Sequence, residues 1–359
     1  MNINIIAPIN QLGYGITSLN IIKALSKENN VSLFPIGQPQ VTSQEDAEII
    51  SQAIKNSKFT DFNAPCIRIW HQHDMSQFVG RGQKIGFPIF ELDTFSDLEK
   101  HHLSNLDKIF VCSHWAKQVI LSNIKIDENN VCVIPLGVDS TIFKPLEESE
   151  DISINNPTIF FNCGKWEVRK GHDILVDIFN NTFNENDNVQ LWLMCENPFL
   201  SEEETKYWHS LYFKSKLAQK IRIIPRLDSQ NDVYNIMKQV DCGVFPSKAE
   251  GWNLELLELM SCGKHVITTN YSAHTEFCNP DNSYLVDIED LEFAQDNKWF
   301  FGQGKWAKIS KKQIETFSEY MRYIHILKTN NNLTLNMDGI STGQRFSWKN
   351  TAETIINNV

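Results

Sequence analysis

Two glutamates stand eight positions apart in the string AEGWNLELLELMSCGKHVI: Glu250 in a loop, and Glu258 inside the helical pattern that follows. The apolar run VDCGVF before them has the make-up of a strand ending at Pro246, and Asn253 is a residue type that caps helices well. In open α/β sheets, ligands collect at this end of a strand. The amides of the helix's first turn and the positive end of its dipole make an anion site worth about 0.3–2 kcal/mol per charge. Glu258 lies about five residues into the helix, roughly 7.5 Å along its axis, and leans back toward the N-terminus. Two carboxylates then flank one phosphate site, each able to accept hydroxyl groups, one from a sugar and one from a ribose. Outside this string such a pair would be a loop cap and a solvated helix residue.

A second string, TIFFNCGKWEVRKGHDILVDIF, runs as a strand into Gly164, places Lys165 and Lys170 on the loop, and enters a helix around Gly171. Two ammonium groups there neutralise a diphosphate and stabilise the charge of a leaving group. Near the start, NIIAPINQLGYGITSLNIIKAL is strand, glycine-containing loop and helix, with Gly13 and Gly15 allowing close backbone approach; it lacks the full dinucleotide pattern GxGxxG. IRIWHQHDM puts His71 and His73 at a strand end. A metal would need a third ligand at recognisable spacing, and none follows, so a polar role in an interdomain cleft is the better reading. His101 and His102 read as a solvated helix face. The chain has no Asp-x-Asp triplet.

Short β-branched and aromatic runs alternate with helical segments along most of the chain, the pattern of βα units and a parallel sheet. The spacing predicts strands over 2–7, 66–70, 108–112, 131–134, 158–163, 189–195, 221–224, 242–245 and 265–269. It predicts helices over 17–27, 115–123, 173–180, 202–216, 232–239 and 253–261. The acidic segment LEESEDISINNP at 146–157 reads as a domain linker. Beyond Asp287 the alternation fades into the Trp/Gly-rich NKWFFGQGKWAK, a helical pattern and an Asn-rich loop at 329–332, before a closing helix capped by Ser347.

The 359 residues suit two domains, and 42% hydrophobic with 21% charged residues is the composition of a folded protein. A net charge of −11 and a pI of 5.4 give no global attraction to nucleic acid or anionic lipid, so either would need a local basic patch. No run approaches 18 apolar residues, and MNINIIAPINQ has no basic leader or cleavage site, so a soluble, cytoplasmic protein is expected, with peripheral membrane contact left open. The eight cysteines form no CxxC pair and read as buried thiols.

AEGWNLELLELMSCGKHVI resembles the Glu-x7-Glu signature of retaining family-4-type glycosyltransferases, with Glu250 and Glu258 at the glutamate positions. CGKWEVRKG is similar to their paired basic element, DKIFVCSHWAKQVI…VCVIPLGVDSTIFKP to the end of their N-terminal domain, and FSWKNTAETI to their closing helix. The resemblance covers nearly the whole chain, and is weakest at 36–64 and 290–340. It implies an α/β GT-B fold of two Rossmann-like domains facing across a cleft. Residues 1–150 would be the acceptor domain, 151–340 the nucleotide-sugar domain, and 341–359 a helix packing back on the first. It implies transfer of a hexose, with retention, from a UDP- or GDP-sugar cosubstrate to a hydroxyl of a glycan or small molecule, without cofactor or metal.

By the same resemblance, Glu250 contacts the transferred sugar, Lys165 and Lys170 the diphosphate, and Glu258 the ribose. Gly164, Gly251 and the amides of Trp252, Asn253 and Leu254 line the phosphates, Arg226 and Leu227 meet the base, and Gly13, Tyr14 and Gly15 approach the sugar phosphate. His71 and His73 join the catalytic set. Lys165 stands where the family often has arginine, Glu255 where it often has proline, and ENPF where it has a glycine-rich turn. A catalytically silent sugar-binding or partner subunit, a glycolipid- or modified-DNA-directed transferase, and a homo-oligomer remain open alternatives; nucleic acid as a partner is disfavoured by charge.

Overall fold

The computed structural model describes residues 1–146 and 156–359, so most of the expected linker, 147–155, lies outside the described residues. The chain forms two compact units, residues 1–138 with 345–359, and residues 139–344. Residues 139–146, expected within the first domain, therefore belong to the second unit. Phe143 is buried there, its carbonyl accepting from Ser261 Oγ at 2.6 Å and its ring meeting Tyr234 edge-on.

In the first unit, strands β1 (Asn2–Ala7), β2 (Asn30–Pro35), β3 (Cys66–Ile69), β4 (Lys84–Phe87), β5 (Lys108–Val111) and β6 (Val131–Val133) form one parallel sheet in the order β2-β1-β3-β4-β5-β6. Helices α1 (Gly13–Leu25), α2 (Gln44–Asn56), α3 (Asp97–Ser104) and α4 (His114–Asn123) lie between strands. Parallel strands are covered on both faces and read as continuous apolar runs, as in β1, where residues 3–7 are all buried. β2 and β4 escape the sequence pattern because β2 is polar at alternate positions and β4 is the four-residue KIGF. Its Gly86 leaves room for Leu106, whose Cδ1 would lie 2.5 Å from an added Cβ.

In the second unit, β7 (Thr158–Cys163), β8 (Val189–Met194), β9 (Ile221–Ile223), β10 (Cys242–Phe245), β11 (His265–Asn270) and β12 (Tyr284–Asp287) form a parallel sheet in the order β12-β11-β10-β7-β8-β9. Its helices are α5 (His172–Thr182), α6 (Glu202–Phe213), α7 (Gln230–Met237), α8 (Leu254–Ser261), α9 (Lys311–Thr329) and α10 (Met337–Arg345). The Trp/Gly-rich stretch is an antiparallel hairpin, β13 (Leu291–Gln295) and β14 (Phe301–Ala307), hidden from pattern reading by Gly302 and Gly304 and by its exposed aromatic face. Buried Trp306 fixes it, its Nε1 donating to Glu292.

The last helix, α11 (Trp348–Ile356), is capped by Ser347 Oγ, which accepts the Asn350 amide at 3.2 Å. It packs on α1, and Thr351 Oγ1 donates to the Pro135 carbonyl at 2.8 Å, which places the chain's end in the first unit. Strand order reverses direction between β1 and β3 in one sheet and between β7 and β10 in the other. A crevice opens at the C-terminal ends of such a strand pair.

Candidate active site

In the second unit the loops after β7 and β10 meet at the reversal point. Gly164 has φ 134°, and a Cβ there would lie 2.9 Å from Lys170 Nζ, so glycine is what lets the lysine chain pass beneath the loop. A 3-10 turn over Val168–Lys170 ends at Gly171, φ 71°, where a Cβ would sit 2.1 Å from the Pro246 carbonyl oxygen. The Lys248 amide donates to the Arg169 carbonyl at 2.7 Å, joining the two loops.

Glu250 occupies the centre, 4% exposed. Its Oε1 accepts from Lys170 Nζ at 3.0 Å and from Ser247 Oγ at 2.9 Å, and its Oε2 accepts from Arg169 at 2.7 Å. Its backbone amide donates to Ser272 Oγ at 2.8 Å. Burial alone would raise this carboxyl's pKa; Lys170 and Arg169 outweigh it and hold Glu250 far below the usual carboxylate range. Burial likewise pulls Lys170 down, yet Glu250 and Glu255 hold it above the usual lysine range. Arg169 also pairs with Glu167 at 2.8 Å, and half-exposed Lys165 reaches Glu167 at 3.2 Å. Three cations, Lys165, Arg169 and Lys170, stand with the carboxylates of Glu167, Glu250 and nearby Glu255, so the ammonium and guanidinium charges are compensated within the cluster.

Glu258 faces the same strand end from α8. It is 7% exposed, and among the described residues its carboxylate accepts no hydrogen bond. Burial pushes its pKa well above the usual value and Glu255 adds to the push. The thiol of Cys163, last residue of β7, is raised first by its burial and then by Glu255 and Glu258, which sets Glu258 near that strand's end. At the opening of α8, Asn253 adopts φ 85° and its Oδ1 accepts the Leu256 amide at 3.3 Å. Among the described residues the Leu254 amide has no protein acceptor, so the helix's positive end keeps donors for an anion. Gly251 and Trp252 are buried, and Trp252 packs on Phe277 with centroids 4.9 Å apart.

The sequence reading missed Arg169, Glu167, Ser247, Ser272 and His274. Arg169 adjoins Lys170 in an Arg-Lys pair that resembles solvated surface; the Glu250 carboxylate and the Ala249 carbonyl, brought from elsewhere in the fold, join nearby Glu167 as its buried partners. His274 Nε2 accepts from Asn253 Nδ2 at 2.9 Å, and Nδ1 lies 3.1 Å from the Thr269 carbonyl, which only accepts. The imidazole is therefore the neutral Nδ1–H form, and burial lowers its pKa to about 4. Arg226 and Leu227 follow edge strand β9, and the Arg226 amide donates to Glu196 at 3.0 Å.

The first unit gathers its own set where β1 and β3 end. Tyr14 hydroxyl donates to the Ile89 carbonyl at 2.7 Å and accepts the Ile89 amide at 3.0 Å, and burial raises its pKa. Its ring meets Trp70 at 5.6 Å and His71 at 4.8 Å, and His71 stacks on exposed His73 at 5.3 Å. Gly13 is open, with nothing within 4 Å of an added Cβ, whereas at Gly15 a Cβ would lie 2.3 Å from the Asn10 carbonyl oxygen. Glycine at position 15 is thus demanded by the loop's own packing, whereas position 13 is open.

Residues 156–297 match the family model for glycosyl transferases group 1. The matched residues all lie in the second unit. An Escherichia coli UDP-Gal:alpha-D-GlcNAc-diphosphoundecaprenol alpha-1,3-galactosyltransferase is 23% identical over 193 residues, 51% of this chain and 48% of that protein. Sucrose synthase of Melioribacter roseus is 25% identical over 206 residues, 51% of this chain and 26% of that protein. The chain thus spans about half or less of the length of these curated relatives. Sucrose-phosphate synthase from Thermosynechococcus elongatus superposes with TM-score 0.73 at 16% identity, over 99% of this chain and 98% of that one. Anabaena HepE in complex with UDP-glucose gives TM-score 0.71 at 14% identity, over 99% and 98%. These likenesses give the whole chain the GT-B fold. Lys165, Lys170, Glu250 and Glu258 lie within the residues that match the family model.

Proposed function

We propose that this chain is a retaining glycosyltransferase of the Glu-x7-Glu type, moving a hexose from a UDP-sugar to a hydroxyl of a glycan or small-molecule acceptor. The observation that carries the proposal is the Glu250 carboxylate held by Lys170 and Arg169 at the reversal point of the second sheet, with buried Glu258 on the helix that follows. UDP is preferred to GDP because HepE was solved with UDP-glucose and the Escherichia coli relative is named for UDP-Gal.

In this reading the diphosphate lies at the opening of α8, with Lys170 and Lys165 neutralising it, Glu258 accepts the ribose hydroxyls and Glu250 a hydroxyl of the transferred sugar. The bond from the anomeric carbon to the diphosphate oxygen breaks, and its electron pair leaves with the phosphate. The acceptor oxygen enters on the same face, and its proton passes to a donor phosphate oxygen. Glu250 is a poor candidate for that proton: a general base works best with a pKa near the working pH, and this carboxylate is held far below it. The acceptor is assigned to the first unit, at the end of β1 and β3, where Gly13, Tyr14, His71 and His73 gather.

The test is nucleoside diphosphate release by the full chain from a panel of UDP- and GDP-hexoses, with acceptor glycans and in EDTA. Release from a UDP-hexose that persists in EDTA, giving a product of unchanged anomeric configuration by proton NMR, is expected. An inverted product refutes retention; strict dependence on added divalent ion refutes metal independence; no binding of any nucleotide sugar refutes the reading as a whole.

A further inference from the structure

The second sheet borders a cavity of about 120 Å3, of mixed polar and apolar lining, at the opposite end of its strands from Glu250. Asp241 and Lys264 enter it just before β10 and β11 begin, His265 from the first position of β11, and Lys328 from the last turn of α9. Lys328 Nζ donates to Asp241 Oδ2 at 2.6 Å and to the Pro157 carbonyl at 2.9 Å, and the same Oδ2 takes the Ile159 amide at 2.7 Å. Lys264 Nζ donates to the Lys238 carbonyl at 2.8 Å and, among the described residues, to nothing else. Asp241, Lys264 and Lys328 are 4%, 3% and 6% exposed.

An ammonium has three N–H donors, so two on Lys264 and one on Lys328 are unmet in a buried place. Two ammonium groups against one carboxylate leave a single positive charge without a partner, and an unpaired buried charge is costly. His265 adds no acceptor on its Nε2 side, where it meets the Thr334 carbonyl at 2.8 Å and so donates. Burial presses the Lys264 pKa downward against the pull of Asp241, as expected for a cation short of negative partners. The space admits several waters, room for an ion of about five heavy atoms.

We propose that this cavity is a binding site for a small oxyanion of the size of phosphate or sulfate, held by Lys264 and Lys328. The site is separate from the proposed diphosphate site, because β10 runs between them: Asp241 lies at its start, and the loop to Glu250 leaves its end. The proposal does not depend on the chain being a transferase.

Calorimetric titration of the full chain with sodium phosphate, sodium sulfate and sodium acetate, at ionic strength fixed with chloride, tests it. Saturable binding of phosphate or sulfate that survives in Lys170→Met is expected, with acetate binding more weakly. Lys264→Met should weaken binding about tenfold or more, the loss of a charge-assisted bond. Should Lys264→Met fail to fold, Leu335→Trp, at a partly exposed lining position, is expected to fill the cavity and abolish binding. Lys170→Met at the other site should leave it intact. Heats that never saturate, binding unaffected by both cavity variants, or loss with Lys170→Met alone would overturn the proposal, leaving a water-filled cavity or an ion at the other cluster.

Discussion

Lys170 Nζ lies 3.0 Å from Glu250 Oε1, although the two residues are 80 positions apart, and both side chains are buried. The ion pair ties together the loops after β7 and β10, the pair of strands between which the sheet reverses. Removing one partner leaves a buried charge uncompensated, which typically costs about 3–5 kcal/mol, whereas removing both can cost little. Glu250→Gln should therefore lower stability by an amount of that order. The double variant Glu250→Gln/Lys170→Met should be more stable than Glu250→Gln alone, as measured by urea unfolding. Turnover of a UDP-hexose should fall about 10²-fold in either single variant. Additive losses of stability would mean that the pair is not coupled.

Glu258 differs in kind, being buried without a hydrogen-bond partner. Its folded pKa is raised, so the stability it contributes is fully present below its unfolded value and is lost as pH rises through the folded value. Glu258→Gln should remove that loss: stability at pH 7.5 should stay level or rise, in contrast to Glu250→Gln. Nucleotide affinity should move the other way. By calorimetry, UDP should bind about tenfold more weakly to Glu258→Gln, about 1.4 kcal/mol, and within about threefold of wild type to Glu250→Gln. Equal losses of affinity in the two variants would refute the division of labour between the glutamates.

These contrasts trace what the sequence could and could not carry. Glu250, Glu258 and Lys170 were legible because each stands at a fixed offset from a strand end or a helix start, and local patterns place both. Arg169 and Ser272 were not legible, because their roles depend on contacts made only after the fold is closed: Arg169 meets Glu250 from 81 positions away, and Ser272 the Glu250 amide from 22. The same limit applies to strands. β7 and β10 are apolar enough to be read alone, whereas β4 is buried by neighbours that four residues cannot announce.

Gly13 and Gly15 look alike in sequence and differ in surroundings. A Cβ at position 15 would meet backbone atoms of Asn10, which cannot yield cheaply, while position 13 is open. Gly15→Ala should destabilise the chain by about 1–3 kcal/mol. Gly13→Ala should leave thermal stability unchanged, and should lower turnover if a donor or acceptor approaches that backbone. A stable Gly15→Ala protein would show that the α1 loop is packed differently.

His274 connects the site to pH. Its Nε2 accepts from Asn253, the residue that caps α8, so protonation there would set two donors against each other. Burial first, opposed by Glu250, lowers its folded pKa to about 4, against 6.5 for a free imidazole. A depressed folded pKa contributes stability that is present above the unfolded value and is lost as pH falls through the folded one, because the unfolded chain takes up the proton first. Between those values each pH unit costs about 1.4 kcal/mol, so about 2–3 kcal/mol should be lost from this group between pH 7.5 and 4.5. His172, lowered to about 3 chiefly by burial, adds a loss of the same sign. Glu258 contributes with the opposite sign over its own range, so the effect of His274 is read as a difference between proteins. In His274→Gln, stability at pH 7.5 should be lower than in wild type, and its further decline to pH 4.5 should be shallower by about 2–3 kcal/mol in urea titrations at matched ionic strength. UDP affinity should fall as well, because the cap that holds the opening of α8 loses its partner. Parallel wild-type and variant stability curves across that range would show that His274 is not held neutral in the folded chain.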